Sequence, residues 1–166
     1  GLTPMMTNAY KCANISTDHE CISKAEAIEK VRRGMYVLIR EGTVAKNLKE
    51  LIPAVNESNS SRFCFCTDDK HIDDLMINGS INTSITQAIK YGLKPETAIS
   101  IASINTSILY NIKNKGAIAP GYMADFIILN DLNTFNIDKV YKKGQLVVDH
   151  GQLIDYSMHF TNNILK

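Results

Sequence analysis

Arg62-Phe63-Cys64-Phe65-Cys66-Thr67-Asp68-Asp69-Lys70-His71 is the stretch on which the fold turns. Its first half is a nearly unbroken run of bulky apolar residues, reached through the polar loop Ser58-Asn59-Ser60-Ser61. A short run of that kind reads as a strand of a parallel sheet covered on both faces. Its second half sets two carboxylates and a histidine where the strand stops. In α/β folds chemistry collects at the carboxyl ends of strands, because the loops there vary while the sheet holds them still. An acidic pair followed by His in that place is a candidate metal or proton-transfer site. The plain alternative is a polar turn leading into the next helix, with Asp69 as its cap.

Upstream, Met5 to Ala13 suits a short helix and Asn14-Ile15-Ser16-Thr17 a brief strand, which delivers Asp18-His19-Glu20. Ser23-Lys24-Ala25-Glu26 is a capping box, with Asp18 as another candidate cap. Ala27, Ile28 and Val31 give the helix a narrow apolar stripe, and Gly34 is placed to end it. Met35-Tyr36-Val37-Leu38-Ile39 is a second buried strand. Thr43 is then expected to cap a helix whose inner face is Val44, Leu48, Leu51 and Ile52, broken by Pro53. Strand, helix, strand, helix, strand predicts a parallel sheet built from right-handed crossovers. His19 and Asp68 stand two such units apart, and therefore at one edge of the sheet.

Downstream, Ile81, Ile85, Ala88 and Ile89 share a helical face that Gly92 closes, and Pro95 opens another helix. Ile99, Ile101, Ala102, Ile104 and Ile108 wrap much of that second helix, which predicts burial on several sides. At Gly116 the chain becomes turn-rich and leads into the apolar strand Phe126-Ile127-Ile128-Leu129. Val140-Tyr141-Lys142 and Leu146-Val147-Val148 flank Lys143-Gly144-Gln145 as a hairpin. His150 and His159 fall in a patternless tail and read as surface residues.

The 166 residues, 45% hydrophobic and 21% charged, suit a soluble globular protein, and no apolar run approaches a membrane span. A net charge of +1 makes no electrostatic case for nucleic acid or an anionic membrane as partner. Cys12, Cys21, Cys64 and Cys66 form no Cys-x-x-Cys pair, and Cys64 and Cys66 share a strand face, so reduced thiols in a cytoplasmic protein are expected.

Three motifs together carry a resemblance. Ser16-Thr17-Asp18-His19-Glu20, then Arg62 to His71, then Gly116-Ala117-Ile118-Ala119-Pro120-Gly121-Tyr122-Met123-Ala124-Asp125 resemble the adenine deaminases of the amidohydrolase superfamily. The last motif is shared widely in the superfamily; the first two are more particular to adenine deaminases. The resemblance implies a (β/α)8 TIM barrel with a small β-sandwich domain. It implies a binuclear divalent metal centre, of manganese or iron, whose hydroxide attacks the amine-bearing carbon of adenine. His19 matches the sixth-strand metal ligand. Asp68 matches the eighth-strand aspartate, which binds metal and shuttles the proton. Glu20, Asp69 and His71 lie in the same motifs as further catalytic candidates. The intact enzyme is expected to be a homo-oligomer.

The sequence departs from the family by omission: it has no His-x-His and no fourth- or fifth-strand ligand. The expectation is a partial barrel of about strands six to eight over residues 1–115, returning strands of the β-sandwich over 116–154, and a tail over 155–166. Such a piece is expected to be inactive alone. A dihydroorotase- or hydantoinase-like amidohydrolase, and a non-catalytic α/β module without a metal centre, are the competing readings.

Overall fold

The computed structural model describes residues 1–154. The tail over 155–166, and His159 with it, lies outside the described residues. Helix α1 (Pro4–Cys12) starts at an N-cap Thr3 whose hydroxyl accepts from Met6 N–H. Strand β1 is only Thr17–Asp18, shorter than the residues before it suggest. Helix α2 (Lys24–Arg32) starts as the capping box predicts, with Ser23 Oγ accepting from Glu26 N–H, while Glu26 accepts from Ile22 N–H. Strands β2 (Tyr36–Arg40) and β3 (Phe63–Cys66) follow. The three strands form one parallel sheet in the order β1-β2-β3.

Register divides the sheet's two faces. Val37 pairs with Phe63 and Ile39 with Phe65. All four are buried in the core with Ala27 of α2 and with Ile85, Ala88, Ala98 and Ile101 from the later helices. Tyr36, Leu38 and Arg40 alternate with them onto the other face, beside Cys64 and Cys66. That face is partly open: Tyr36, Leu38 and Cys66 are only half-buried.

Two expectations are corrected. Thr43 caps no helix, and Val44 is 80% exposed rather than on an inner face. Helix α3 is the single turn Leu48–Leu51, and buried Glu41 accepts from its first N–H at 3.2 Å. Thr43 instead accepts from His71 N–H at 2.9 Å and donates to Asp74, fastening the loop after β2 to helix α4 (Ile72–Asn78). The long helix expected after Pro95 is two: α6 (Pro95–Ala102) and α7 (Ile104–Leu109) break at Ser103, following α5 (Ile81–Lys90). The break lets buried Asn105 turn inward and donate to the Ser60 and Phe63 carbonyls at 2.8 and 2.9 Å, satisfying backbone where β3 begins. Ile108, past the break, is 62% exposed.

The remaining described chain is an antiparallel sheet, β4 (Phe126–Asp131), β5 (Asn136–Lys142), β6 (Gln145–Asp149) and β7 (Gln152–Leu153), in chain order. The predicted hairpin is β5–β6, with Lys143 and Gly144 both at positive φ in its turn. Phe135, from the β4–β5 turn, is buried in the same apolar cluster as the parallel sheet.

Candidate active site

Parallel pairing puts the carboxyl ends of β1, β2 and β3 on one rim. His19 and Glu20 leave β1 there, Arg40 ends β2, and Asp68 follows β3. His19 and Asp68 therefore share a rim.

Asp18 turns away from this rim toward α2. Its carboxylate accepts from the Lys30 ammonium, from the Cys21 thiol at 3.2 Å and from Glu20 N–H at 3.2 Å. Lys30 also bonds Glu26 at 2.9 Å and is itself buried. Burial alone would raise the Asp18 pKa, but the hydrogen bonds from Lys30, Cys21 and the Glu20 amide outweigh it and hold the carboxyl below its usual range. Burial and the bond to Asp18 push the Cys21 thiol up to about 12, far from a reactive thiolate. Asp18, Cys21 and Glu26 are the one group of three metal-type side chains in ligating proximity among the described residues. An ammonium group already binds two of them, so the cluster is an anchor that fixes the turn carrying His19 and Glu20.

At the open rim the organising group is Arg40, which the sequence reading passed over. Its Nη1 lies 3.0 Å from both Glu20 Oε1 and Asp68 Oδ2, its Nη2 3.0 Å from Glu20 Oε2, and its Nε donates to Asn47 Oδ1 at 3.3 Å. Burial works against its charge, yet the bonds to Glu20 and Asp68 prevail and raise its pKa. Burial and the nearby Asp68 carboxylate push the Cys66 thiol up to about 11. His19 Nε2 stands 3.4 Å from Glu20 Oε1, with half of its ring open to solvent. Asp68 sits at φ 52, a left-handed conformation that Asp tolerates better than most residues.

Asp69 and His71 stand apart from this group. Asp69 Oδ2 accepts from Val44 N–H at 3.0 Å, and its buried Oδ1 packs against Gly42 without a hydrogen-bond partner. A Cβ on Gly42 would fall 1.8 Å from Asp69 Oδ1 and 2.8 Å from the Thr67 carbonyl, so this approach requires glycine. His71 is the exposed residue before α4, joined to Thr43 through its backbone. Neither Asp18 nor Asp69 caps a helix: Ser23 caps α2, and α4 has no side-chain cap.

An imidazole and a carboxylate on one rim, both reachable from solvent, have the donor chemistry of two ligands to a divalent ion. Arg40 occupies Asp68 Oδ2, and no described residue hydrogen-bonds Oδ1. By donor type the two suit a divalent ion, but among the described residues no group of three metal-type side chains in ligating proximity includes either of them.

The fold is a parallel β/α sheet with acid and imidazole at its carboxyl rim, and the amidohydrolase family model matches residues 7–147. The chain belongs to the amidohydrolase family. Within it, the chain is 53% identical over 154 residues to the adenine deaminase of Geobacillus kaustophilus, which covers 93% of this chain and 27% of that protein. It is 50% identical over 152 residues to the adenine deaminase of Bacillus pumilus, covering 92% of this chain and 26% of that protein. The chain thus spans little more than a quarter of these relatives. Among solved structures, a β-aspartyl dipeptidase from Fervidobacterium islandicum AW-1 superposes with a TM-score of 0.63 at 17% identity, over 81% of this chain and 38% of that one. An enamidase superposes with a TM-score of 0.53 at 16% identity, over 92% and 60%. At such identities the likeness is one of fold.

Proposed function

We propose that this chain supplies one side of the active site of an adenine deaminase, which converts adenine and water to hypoxanthine and ammonia. The observation that carries the reading is the 53% identity to an adenine deaminase over 93% of the chain. Here β1, β2 and β3 are barrel strands six, seven and eight, residues 1–115 close the barrel, and residues 116–154 return to a small β-sandwich domain.

His19 and Asp68 would hold a divalent ion, manganese or iron, with further ligands from outside this chain. Such an ion, when bound, lowers the pKa of water to about 7 and so supplies a nucleophile at neutral pH. Asp68 accepts a proton from the attacking water and returns it to the departing amine nitrogen. Glu20 is a second acid–base group beside His19. Asp69 and His71 act on the rim's shape through the loop they hold. The reaction belongs to purine salvage in the cytoplasm, in a homo-oligomeric enzyme.

The test is turnover by the full-length gene product that contains this chain, loaded with manganese or iron. Hypoxanthine and ammonia should appear in equal amounts as adenine is consumed. No adenine turnover by the metal-loaded protein would overturn the reading, and ring opening of dihydroorotate in its place would favour the cyclic-amide alternative.

A further inference from the structure

We infer that Arg40 is a positioning residue for that reaction: its guanidinium ties the carboxylates of Glu20 and Asp68, which follow two different strands, into one arrangement at the rim. The inference rests on the deaminase reading for its catalytic meaning and on geometry for its substance.

Arg40 is 8% exposed at the end of the central strand. A buried guanidinium is tolerated where its donors are matched, and each of its three nitrogens has an acceptor. Asn47, on the neighbouring loop, sets the plane through Nε. Nη1 and Nη2 then grip Glu20 through both of its oxygens, while Nη1 also reaches Asp68. Side-chain exposure shows what this does: Glu20 is 64% exposed and Asp68 37%, whereas Arg40 is 10%. Two solvent-accessible acids are held by a buried cation that does not itself face the solvent. The grip uses only Oδ2 of Asp68, leaving Oδ1 for an ion or a proton. Lysine would keep the charge but not the planar fork that addresses two carboxylates at once.

The experiment uses the full-length gene product and two variants, Arg40→Met and Arg40→Lys. Loss of position at a reacting carboxylate costs on the order of 10²-fold in rate. Arg40→Met should therefore lower kcat by about that factor and leave KM nearly unchanged, and Arg40→Lys should recover part of the loss. An unchanged kcat, or a rise confined to KM, would overturn the inference, the second because it would make Arg40 a substrate-gripping residue. Crystal structures of wild type and variants give a readout independent of turnover. The Asp68 and Glu20 carboxylates should leave their wild-type positions in Arg40→Met, and carboxylates that stay in place sink the inference. If the wild-type protein deaminates no adenine, the functional reading fails, while the crystallographic comparison still decides what Arg40 does. If Arg40→Met does not fold, Arg40→Lys carries both measurements: reduced kcat with displaced carboxylates supports the inference, and wild-type values for either overturn it.

Discussion

At Asp68 the chain passes through φ 52, a conformation that Asn accepts about as readily as Asp. Asp68→Asn therefore removes charge and proton acceptance while keeping the backbone. In the full-length gene product it should cut adenine turnover by about 10² to 10⁴-fold, the usual worth of a positioned acid–base group, with an unchanged circular dichroism spectrum. Gly42 offers a complementary test. A methyl group there collides with Asp69 and the Thr67 carbonyl, so Gly42→Ala should cost about 1–3 kcal/mol, read from urea unfolding. That His19 and Asp68 share a rim was legible in the sequence, because alternating strands and helices dictate a parallel sheet. Arg40 was not, because an arginine closing an apolar run looks like an ordinary polar stop. Only the register that sets Arg40 opposite Cys66 puts it between two acids. Asp18 was misleading for a related reason: its partner, Lys30, sits on a helix face that periodicity alone marks as solvated.

Among the elements, β1 and α2 are joined by ions as well as by apolar packing. Asp18 and Glu26 both have lowered pKa values, burial being outweighed by bonds from Lys30. A carboxyl depressed on folding stabilises the fold above its unfolded value, near 4, and loses that contribution as pH falls through its folded value. Lys30→Met strips the partner from two nearly buried carboxylates and should cost about 3–5 kcal/mol at pH 7. The deficit relative to wild type should shrink as pH falls below about 4 and through the lowered folded values of the two carboxyls, where they become neutral. Urea midpoints of both proteins at pH 7 and below pH 4 check the sign. Helix α2 and strands β2 and β3 were readable because caps, stripes and apolar runs agreed on them. The segment after Thr43 and the α6–α7 junction were not. There the long-range partners Asp74 and the Ser60 and Phe63 carbonyls override local propensity.

Across the whole molecule, a turn residue without a sequence signature draws the antiparallel strands into the shared core. Phe135 is 7% exposed within the cluster that also holds Ile85 and Phe65. Phe135→Ala should cost about 3–5 kcal/mol and shift a single unfolding transition, measured by calorimetry. Two separate transitions in the wild type would show the sheets to be independent. The order of strands followed from alternation of elements, whereas this packing depends on contacts distant in sequence. The 166-residue chain alone should show no measurable adenine turnover, since two metal-type donors at a rim do not complete a catalytic centre.

The parallel sheet has one further consequence. Among the described residues, β1 and β3 each bond to a neighbour on one side only, so two rows of amide and carbonyl groups stay adhesive toward any extended polypeptide. Expressed by itself, the segment should clump more as its concentration rises, and a separately made polypeptide that continues the sheet should disperse it.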